Sequence, residues 1–188
     1  MRLSVLPKEV TLLSISFFFI FFGYNSVQNF ITSFFSESGI TNVGFRVLIL
    51  AFLFFFLTGP VSAVVVSKFG SKKTMVFASV LYSIFIASLL THSLPIIYLT
   101  SALVGIAAAL LWTGQNSYLI VASSKKSFGA NSGFFNTYLS VGSALGVLVL
   151  GFLASAFSFN LSFTIYLFFP LIGTLLLLKL SNLRVSQK

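Results

Sequence analysis

Side-chain amides recur in three of the most apolar stretches of this sequence, and they are the residues best able to do chemistry. The three groups are Asn25, Gln28, Asn29 and Thr32; Trp112, Gln115 and Asn116; and Asn131 and Asn136. The first group stands at positions i, i+3, i+4 and i+7, which is one face of a helix. Amides are disfavoured in hydrocarbon unless they form hydrogen bonds, so these faces are expected to meet other helices or a wet cavity.

Two uses of such amides remain open on this evidence. They could join helices, each hydrogen bond contributing about 0.6 kcal/mol in a membrane. They could also form a site for a small polar solute or for a partner protein. The sequence therefore predicts a polar interior without deciding what occupies it.

Residues for catalysis are scarce. The chain has one histidine, His92, and no cysteine, and its two acids, Glu9 and Glu37, stand at the ends of the first apolar stretch. Neither a metal-ligand cluster nor an acid–base pair can be assembled within an apolar stretch from these residues. A serine nucleophile lacks a nearby His or Lys base there. We therefore expect no enzymatic activity, no catalytic residue, no metal and no cofactor.

The elements that carry the amides are membrane helices. The 188 residues are 57% hydrophobic and 7% charged, whereas a soluble domain carries about 25% charged residues. Apolar runs long enough to cross a bilayer fall at about 10–33, 46–67, 73–92, 95–122, 130–155 and 160–180. The fold class predicted is an all-α integral membrane protein. Residues 1–188 form one bundle of six transmembrane helices, and residues 181–188 form a cytoplasmic tail.

The basic residues set the orientation of these helices. Ten of the eleven fall on one side of a six-helix topology: Arg2, Lys8, Lys68, Lys72, Lys73, Lys125, Lys126, Lys179, Arg184 and Lys188. Arg46 alone falls on the other side. Because Lys and Arg are retained on the cytoplasmic side, both termini are predicted to be cytoplasmic. The basic residues do not cluster as a nucleic-acid surface requires, so we expect lipid contact and no nucleic-acid partner.

Helix contacts can also be predicted. Three pairs of small residues spaced by four favour close approach of a neighbouring helix: Gly105 and Ala109, Gly129 and Gly133, and Gly142 and Gly146. The fourth and fifth helices are expected to be locked through Gln115 and Asn136. The third helix and residues 161–180 of the sixth contain no amide, so we expect that these two helices can face lipid all round. The first helix of each triplet, helices one to three and four to six, carries amides. This pattern is typical of a 3+3 inverted repeat.

Two motifs resemble a known family. In the loop "SAVVVSKFGSKKTM", Lys68, Gly70 and Lys72 occupy the basic, glycine and basic places of the loop motif of the major facilitator superfamily. Ser67 stands where that motif has its Asp, and Ala63 where it has its leading Gly. The stretch "LWTGQNSYL", preceded by "GIAAA", closely resembles the Unc-ninety-three family within that superfamily. The stretches "FFGYNSVQNF" and "GANSGFFNTYL" are similar to it too, so the resemblance covers about residues 15–155.

The resemblance implies a fold and divided functions. Family members have twelve helices in two six-helix halves, and this chain matches the N-terminal half. One member is regarded as a regulatory subunit of a potassium channel, another escorts nucleic-acid-sensing receptors, and others are orphan carriers. The function implied is regulation or escort of an ion channel or receptor; the alternative is transport of a small polar solute. The implied partners are such a channel or receptor, or a second six-helix half.

Overall fold

The computed structural model describes residues 7–183 as six α-helices joined by short connections. The helices are α1 (Lys8–Glu37), α2 (Val43–Phe69), α3 (Ser71–Leu89), α4 (Leu94–Ala122), α5 (Phe128–Ala156) and α6 (Phe159–Leu178). Each of the six is long and apolar enough to cross a membrane. The predicted all-α membrane fold with six membrane helices is thereby confirmed. Arg2, Arg184 and Lys188, which were used to predict orientation, lie outside the described residues.

Proline, glycine and serine mark several helix ends. Pro7 precedes α1, and Pro95 lies in the first turn of α4, where its missing N–H costs no helical hydrogen bond. One residue, Gly70, separates α2 from α3, and its φ of +87° is a conformation that favours glycine. The hydroxyl of Ser158 caps α6 by accepting from the N–H of Leu161.

The helix packing repeats itself within the bundle. The most extensive contacts are between α2 and α4 and between α1 and α5, followed by α3 with α4 and α1 with α6. Each contact made by one triplet has a counterpart made by the other. The contact of α2 with α4 corresponds to that of α5 with α1, and the contact of α3 with α4 corresponds to that of α6 with α1. The contact between α3 and α6 joins the equivalent helices of the two triplets. The two helix triplets therefore pack as related units, in which α1 packs against α5 and α6 and α4 packs against α2 and α3.

Glycines allow the closest of these helix approaches. A Cβ atom on Gly105 of α4 would lie 3.0 Å from the carbonyl carbon of Ala51 on α2. On α5, a Cβ atom on Gly142 would lie 2.7 Å from the carbonyl oxygen of Phe18, and one on Gly146 would overlap α1 in the same way. These two sites, predicted from their spacing, bring backbones together where a side chain would keep them apart.

The other predicted small-residue pair does not act in this way. A Cβ atom on Gly129 or Gly133 would meet no atom within 4 Å. The expectation of close helix packing at this pair is wrong for the described residues, because both glycines lie on the exposed side of α5, whereas Asn131 and Phe135 of the same turns are buried. A close approach that spacing did not predict occurs instead at Gly173 of α6, where a Cβ atom would lie 2.6 Å from the carbonyl oxygen of Ser16 on α1.

The expectation that α3 and α6 face lipid all round is also wrong. In their most apolar 18-residue windows, 56% of the residues are buried in α3 and 39% in α6, against 17% in both α2 and α5. Hydroxyl groups join α3 to its neighbours: Thr174 of α6 donates to Ser79 at 2.9 Å, and Ser88 pairs with Thr100 of α4 at 2.7 Å. At α3, hydroxyl side chains rather than amides thus form the hydrogen bonds between helices. The most exposed helices are α2 and α5.

Candidate functional site

A cleft of about 890 Å³ lies between α1, α2, α4 and α5. Its amides and aliphatic hydroxyls belong to Asn25, Gln28 and Asn29 from α1 and to Ser140 and Ser143 from α5. Among the described residues that line it, none is Asp, Glu, His, Lys or Arg. The cleft can therefore make hydrogen bonds and apolar contacts, but it offers no full charge to a ligand.

Two of the three α1 amides are already hydrogen-bonded within the protein. The amide nitrogen of Asn25 donates to the hydroxyl of Ser143 on α5 at 3.0 Å, and that of Asn29 donates to the carbonyl of Asn25 at 2.7 Å. The first bond joins α1 to α5 directly beside the cleft. Gln28 lies one turn beyond Tyr24 on the same face of α1, and both side chains line the cleft.

Aromatic rings from three helices form one wall of the cleft. Phe21 and Tyr24 of α1, Tyr82 of α3 and Trp112 of α4 all line it. The ring centroids of Tyr24 and Tyr82 are 4.4 Å apart and those of Phe21 and Trp112 are 5.2 Å apart, with the rings of each pair inclined to one another. Such contacts stabilise aromatic clusters beyond their burial. We call these four residues the aromatic wall.

Sequence reasoning placed Trp112 in the polar interior but did not single out the two tyrosines. Tyr24 directly precedes Asn25, and α1 turns both side chains toward the cleft. Tyr82 was missed because α3 has no amide, and among the described lining residues it is the one that α3 supplies. The available signal was a tyrosine near the middle of an apolar span, since its hydroxyl needs a partner there.

The amides of α4 do not accompany Trp112 into the cleft. Gln115 is 2% exposed and packs inside the bundle one turn beyond Trp112, and Asn116 is on the exposed side of α4. Neither residue lines the cleft among the described residues. The three residues of α4 therefore lie in different environments: Trp112 lines the cleft, Gln115 is buried in the bundle and Asn116 is exposed.

The amides of α5 lie away from the cleft as well. Asn131 is buried and donates to the hydroxyls of Ser123 at 2.8 Å and Ser127 at 3.4 Å, which fixes the connection between α4 and α5. Asn136 is exposed and donates to the carbonyl of Ser132 in its own helix at 2.9 Å.

The expected lock between Gln115 and Asn136 is wrong. Contacts between α4 and α5 are few, because α1 packs against α5 while α2 and α3 pack against α4. Asn136 uses its amide nitrogen within α5. The two amides therefore belong to separate environments.

The loop motif forms the one-residue connection between α2 and α3. Lys68 and Gly70 flank the end of α2, and the Lys68 ammonium lies 5.6 Å from the ring centroid of Phe69. Lys72 lies in the first turn of α3. Ser67, in the place of the motif's Asp, donates to the carbonyl of Val64 in its own helix, so it does not supply the acidic contact that the motif implies.

A polar cluster at the same end of the bundle involves Glu9. Its carboxylate accepts from the hydroxyl of Tyr118, at the end of α4, and from both the N–H and the hydroxyl of Ser181, after α6. These bonds join the start of α1 to the ends of α4 and α6. Within residues 7–183, no group of three or more His, Cys, Asp or Glu is placed to hold a metal ion.

Comparisons with known proteins agree on one family. Residues 13–187 match the family model of the Major Facilitator Superfamily. UNC93-like protein 3 of Arabidopsis thaliana is 34% identical over 112 residues, which are 60% of this chain and 23% of that protein. UNC93-like protein MFSD11 of Xenopus laevis is 28% identical over 159 residues, which are 83% of this chain and 36% of that protein. The chain thus spans between about a quarter and about a third of the length of these relatives.

Solved structures share the fold. A mutant of the peptide transporter POT in complex with alafosfalin superposes with a TM-score of 0.78 at 17% identity, covering 92% of this chain and 38% of that chain. The same mutant in complex with sulfate gives a TM-score of 0.73, also at 17% identity, covering 95% of this chain and 40% of that chain. The six helices correspond to part of a larger transporter fold.

Proposed function

This chain belongs to the major facilitator superfamily, as a multi-pass membrane protein similar to its UNC93-like members, and on that premise we propose that its cleft binds a small uncharged polar solute. The observation that carries the proposal is the cleft itself. About 890 Å³ of space is lined by amides, hydroxyls and aromatic rings. Concave sites with apolar walls and a few polar groups are the usual form of small-molecule sites.

The lining indicates an uncharged solute and a transport step without ion coupling. Carriers coupled to protons or cations place ionisable side chains inside the membrane. The described lining offers neutral amides such as Asn25 and Gln28 instead. We therefore infer that the solute moves down its own gradient, and that the protein is not an enzyme.

We further propose that a second six-helix bundle completes the cleft. The two helices with the smallest buried share, α2 and α5, both contribute to the lining of the cleft, which is only partly enclosed. Exposing Asn25 and Asn29 to hydrocarbon would be costly, since polar groups in lipid need partners. The excess of basic residues at one end supports an orientation with both termini in the cytoplasm.

A second candidate function is regulation or escort of an ion channel or receptor. The lack of ionisable side chains in the described lining favours it over ion-coupled transport. The exposed faces of α2 and α5 would then contact that membrane protein rather than a second transporter half.

The single tryptophan of the chain provides the test, because Trp112 lines the cleft. The purified protein in lipid nanodiscs is titrated with hexoses, nucleobases, xanthines and zwitterionic amino acids while tryptophan fluorescence is recorded. We expect a saturable change with at least one uncharged class. We also expect Asn25→Leu to weaken that change and Asn136→Leu, an exposed amide away from the cleft, to leave it unaltered. A flat response to every class would contradict solute binding and favour the regulatory function.

A further inference from the structure

Four tyrosines are buried in the bundle, and they fall into two kinds. Tyr118 is 0% exposed and hydrogen-bonds to Glu9, and Tyr166 is 0% exposed and donates to the carbonyl of Gly146 at 2.7 Å. Tyr24 and Tyr82 are 7% and 1% exposed, yet within residues 7–183 neither hydroxyl has a hydrogen-bond partner. A buried phenol normally finds a partner, so these two are exceptions.

The two unpartnered phenols are the two that line the cleft. Tyr24 comes from α1 and Tyr82 from α3, and their rings meet at 4.4 Å with an interplanar angle of 74°. Among residues 7–183, the side-chain polar atoms that are fully enclosed and unpartnered are the hydroxyls of Ser83 and Ser132, so the Tyr24 and Tyr82 hydroxyls are not fully enclosed. Both phenols thus combine deep burial with access to the cleft. Each phenol therefore has to find its hydrogen-bond partner inside the cleft, where a ligand can supply it.

The neighbouring amides do not satisfy the phenols. Asn25 and Asn29 donate to Ser143 and to a backbone carbonyl, so their amide hydrogens are partly used within the protein. Gln28, one turn beyond Tyr24, faces the same space. The groups available to a ligand are therefore chiefly the two phenols and Gln28, set against the rings of Phe21 and Trp112.

We propose that Tyr24 and Tyr82 donate hydrogen bonds to the ligand, and that the ligand is an uncharged planar heterocycle with carbonyl groups on its edge. This inference rests on the proposed function and names the solute class. Planar rings pack against aromatic side chains, and carbonyl oxygens accept from phenols. The apolar residues of the opposite sides, among them Phe52, Phe55 and Val147, favour such a ring over a polyol, whose many hydroxyls would lack partners there.

The probe is caffeine, which has two ring carbonyls and donates no hydrogen bond; glucose is the polyol comparison. Binding to the full chain in nanodiscs is followed by Trp112 fluorescence, excited where caffeine absorbs little. We expect saturable binding of caffeine and none of glucose. Tyr24→Phe and Tyr82→Phe should each weaken caffeine binding by about three- to tenfold, the effect of one lost hydrogen bond.

Thermal unfolding of the same variants separates this role from a structural one. Removing an unpartnered hydroxyl should leave the melting temperature unchanged or raise it. The matched control is Tyr166→Phe, which removes a satisfied hydroxyl outside the cleft; it should lower the melting temperature by about 1–6 °C and leave caffeine binding unchanged.

Three results would overturn the inference. Caffeine affinity that is unaltered in both cleft variants would show that the phenols do not contact the ligand, although solute binding itself would stand. Binding of glucose in preference to caffeine would overturn the solute class alone. Failure of caffeine and of every other uncharged class to bind would overturn the proposed function together with this inference.

Discussion

The contact between α1 and α5 determines whether a glycine-to-alanine substitution in α5 stabilises or destabilises the protein. Gly146 and Gly133 lie on the same helix, and replacing a helical glycine by alanine gains about 1 kcal/mol of helix propensity at either site. At Gly146 the new Cβ atom would lie 2.5 Å from the hydroxyl of Ser26 and 2.9 Å from the Cα atom of Phe22. At Gly133 it would meet nothing within 4 Å.

The magnitudes follow from these distances. Overpacking against the α1 backbone costs about 1–3 kcal/mol, since the backbone cannot move aside locally. Separating α5 from α1 also disturbs the hydrogen bond from Tyr166 to the Gly146 carbonyl, which contributes about 1 kcal/mol. When the gain in helix propensity is subtracted from these two costs, Gly146→Ala should destabilise the protein by about 1–3 kcal/mol. Gly133→Ala should be neutral or stabilising by up to about 1 kcal/mol.

Thermal unfolding in mild detergent measures the difference. At about 2–4 °C per kcal/mol, Gly146→Ala should lower the melting temperature by about 2–12 °C, and Gly133→Ala should maintain or raise it. Equal melting temperatures for the two variants would refute the reasoning, because they would mean that α5 does not approach α1 at Gly146.

Three further predictions concern other parts of the bundle. In the cysteine-free chain, Ser124→Cys should resist an impermeant thiol reagent in intact cells and Thr41→Cys should react; the reverse pattern would overturn the cytoplasmic assignment of both termini. The stability effects of Gln115→Ala and Asn136→Ala should add, since the two residues lie in separate environments, and a coupling energy above about 0.5 kcal/mol in a double-mutant cycle would contradict this. Asn160 begins an Asn-Leu-Ser sequence but lies in the first turn of α6, so glycosidase treatment should not change the mobility of the protein; a shift removed by Asn160→Gln would disprove this.

Much of the fold could be predicted because the membrane limits the choices. Apolar runs long enough to cross a bilayer had to be helices, and each predicted span corresponds to one observed helix. The close contact at Gly142 and Gly146 followed from their spacing. The same spacing at Gly129 and Gly133 has no contact, because spacing describes one helix and cannot show where its neighbour lies.

The candidate site was predicted less completely. Amide type and helical phase grouped Asn25, Gln28 and Asn29, and all three line the cleft from α1. The same reasoning could not separate Trp112, which lines the cleft, from Gln115, which is buried beyond it. That separation depends on the rotation of α4 against α2 and α3, which is set by packing of apolar residues over the whole helix.

Tyr82 shows a different limit. It lies on a helix that contains no amide, yet it reaches the cleft between α1 and α4. Its role depends on a hydroxyl that lacks a partner within the described residues, and partner satisfaction is a property of the assembled bundle. Phenylalanine-rich spans such as α1 make a tyrosine easy to count as one more aromatic residue.

The central claim is that the cleft holds a polar solute in a wet space rather than lipid. Collisional quenching of Trp112 in proteoliposomes tests it most directly, because no other tryptophan contributes to the signal. We expect strong quenching by water-soluble acrylamide and weak quenching by lipids brominated on their acyl chains. Strong quenching by the brominated lipids with little effect of acrylamide would mean that acyl chains fill the cleft, and solute binding there would be ruled out.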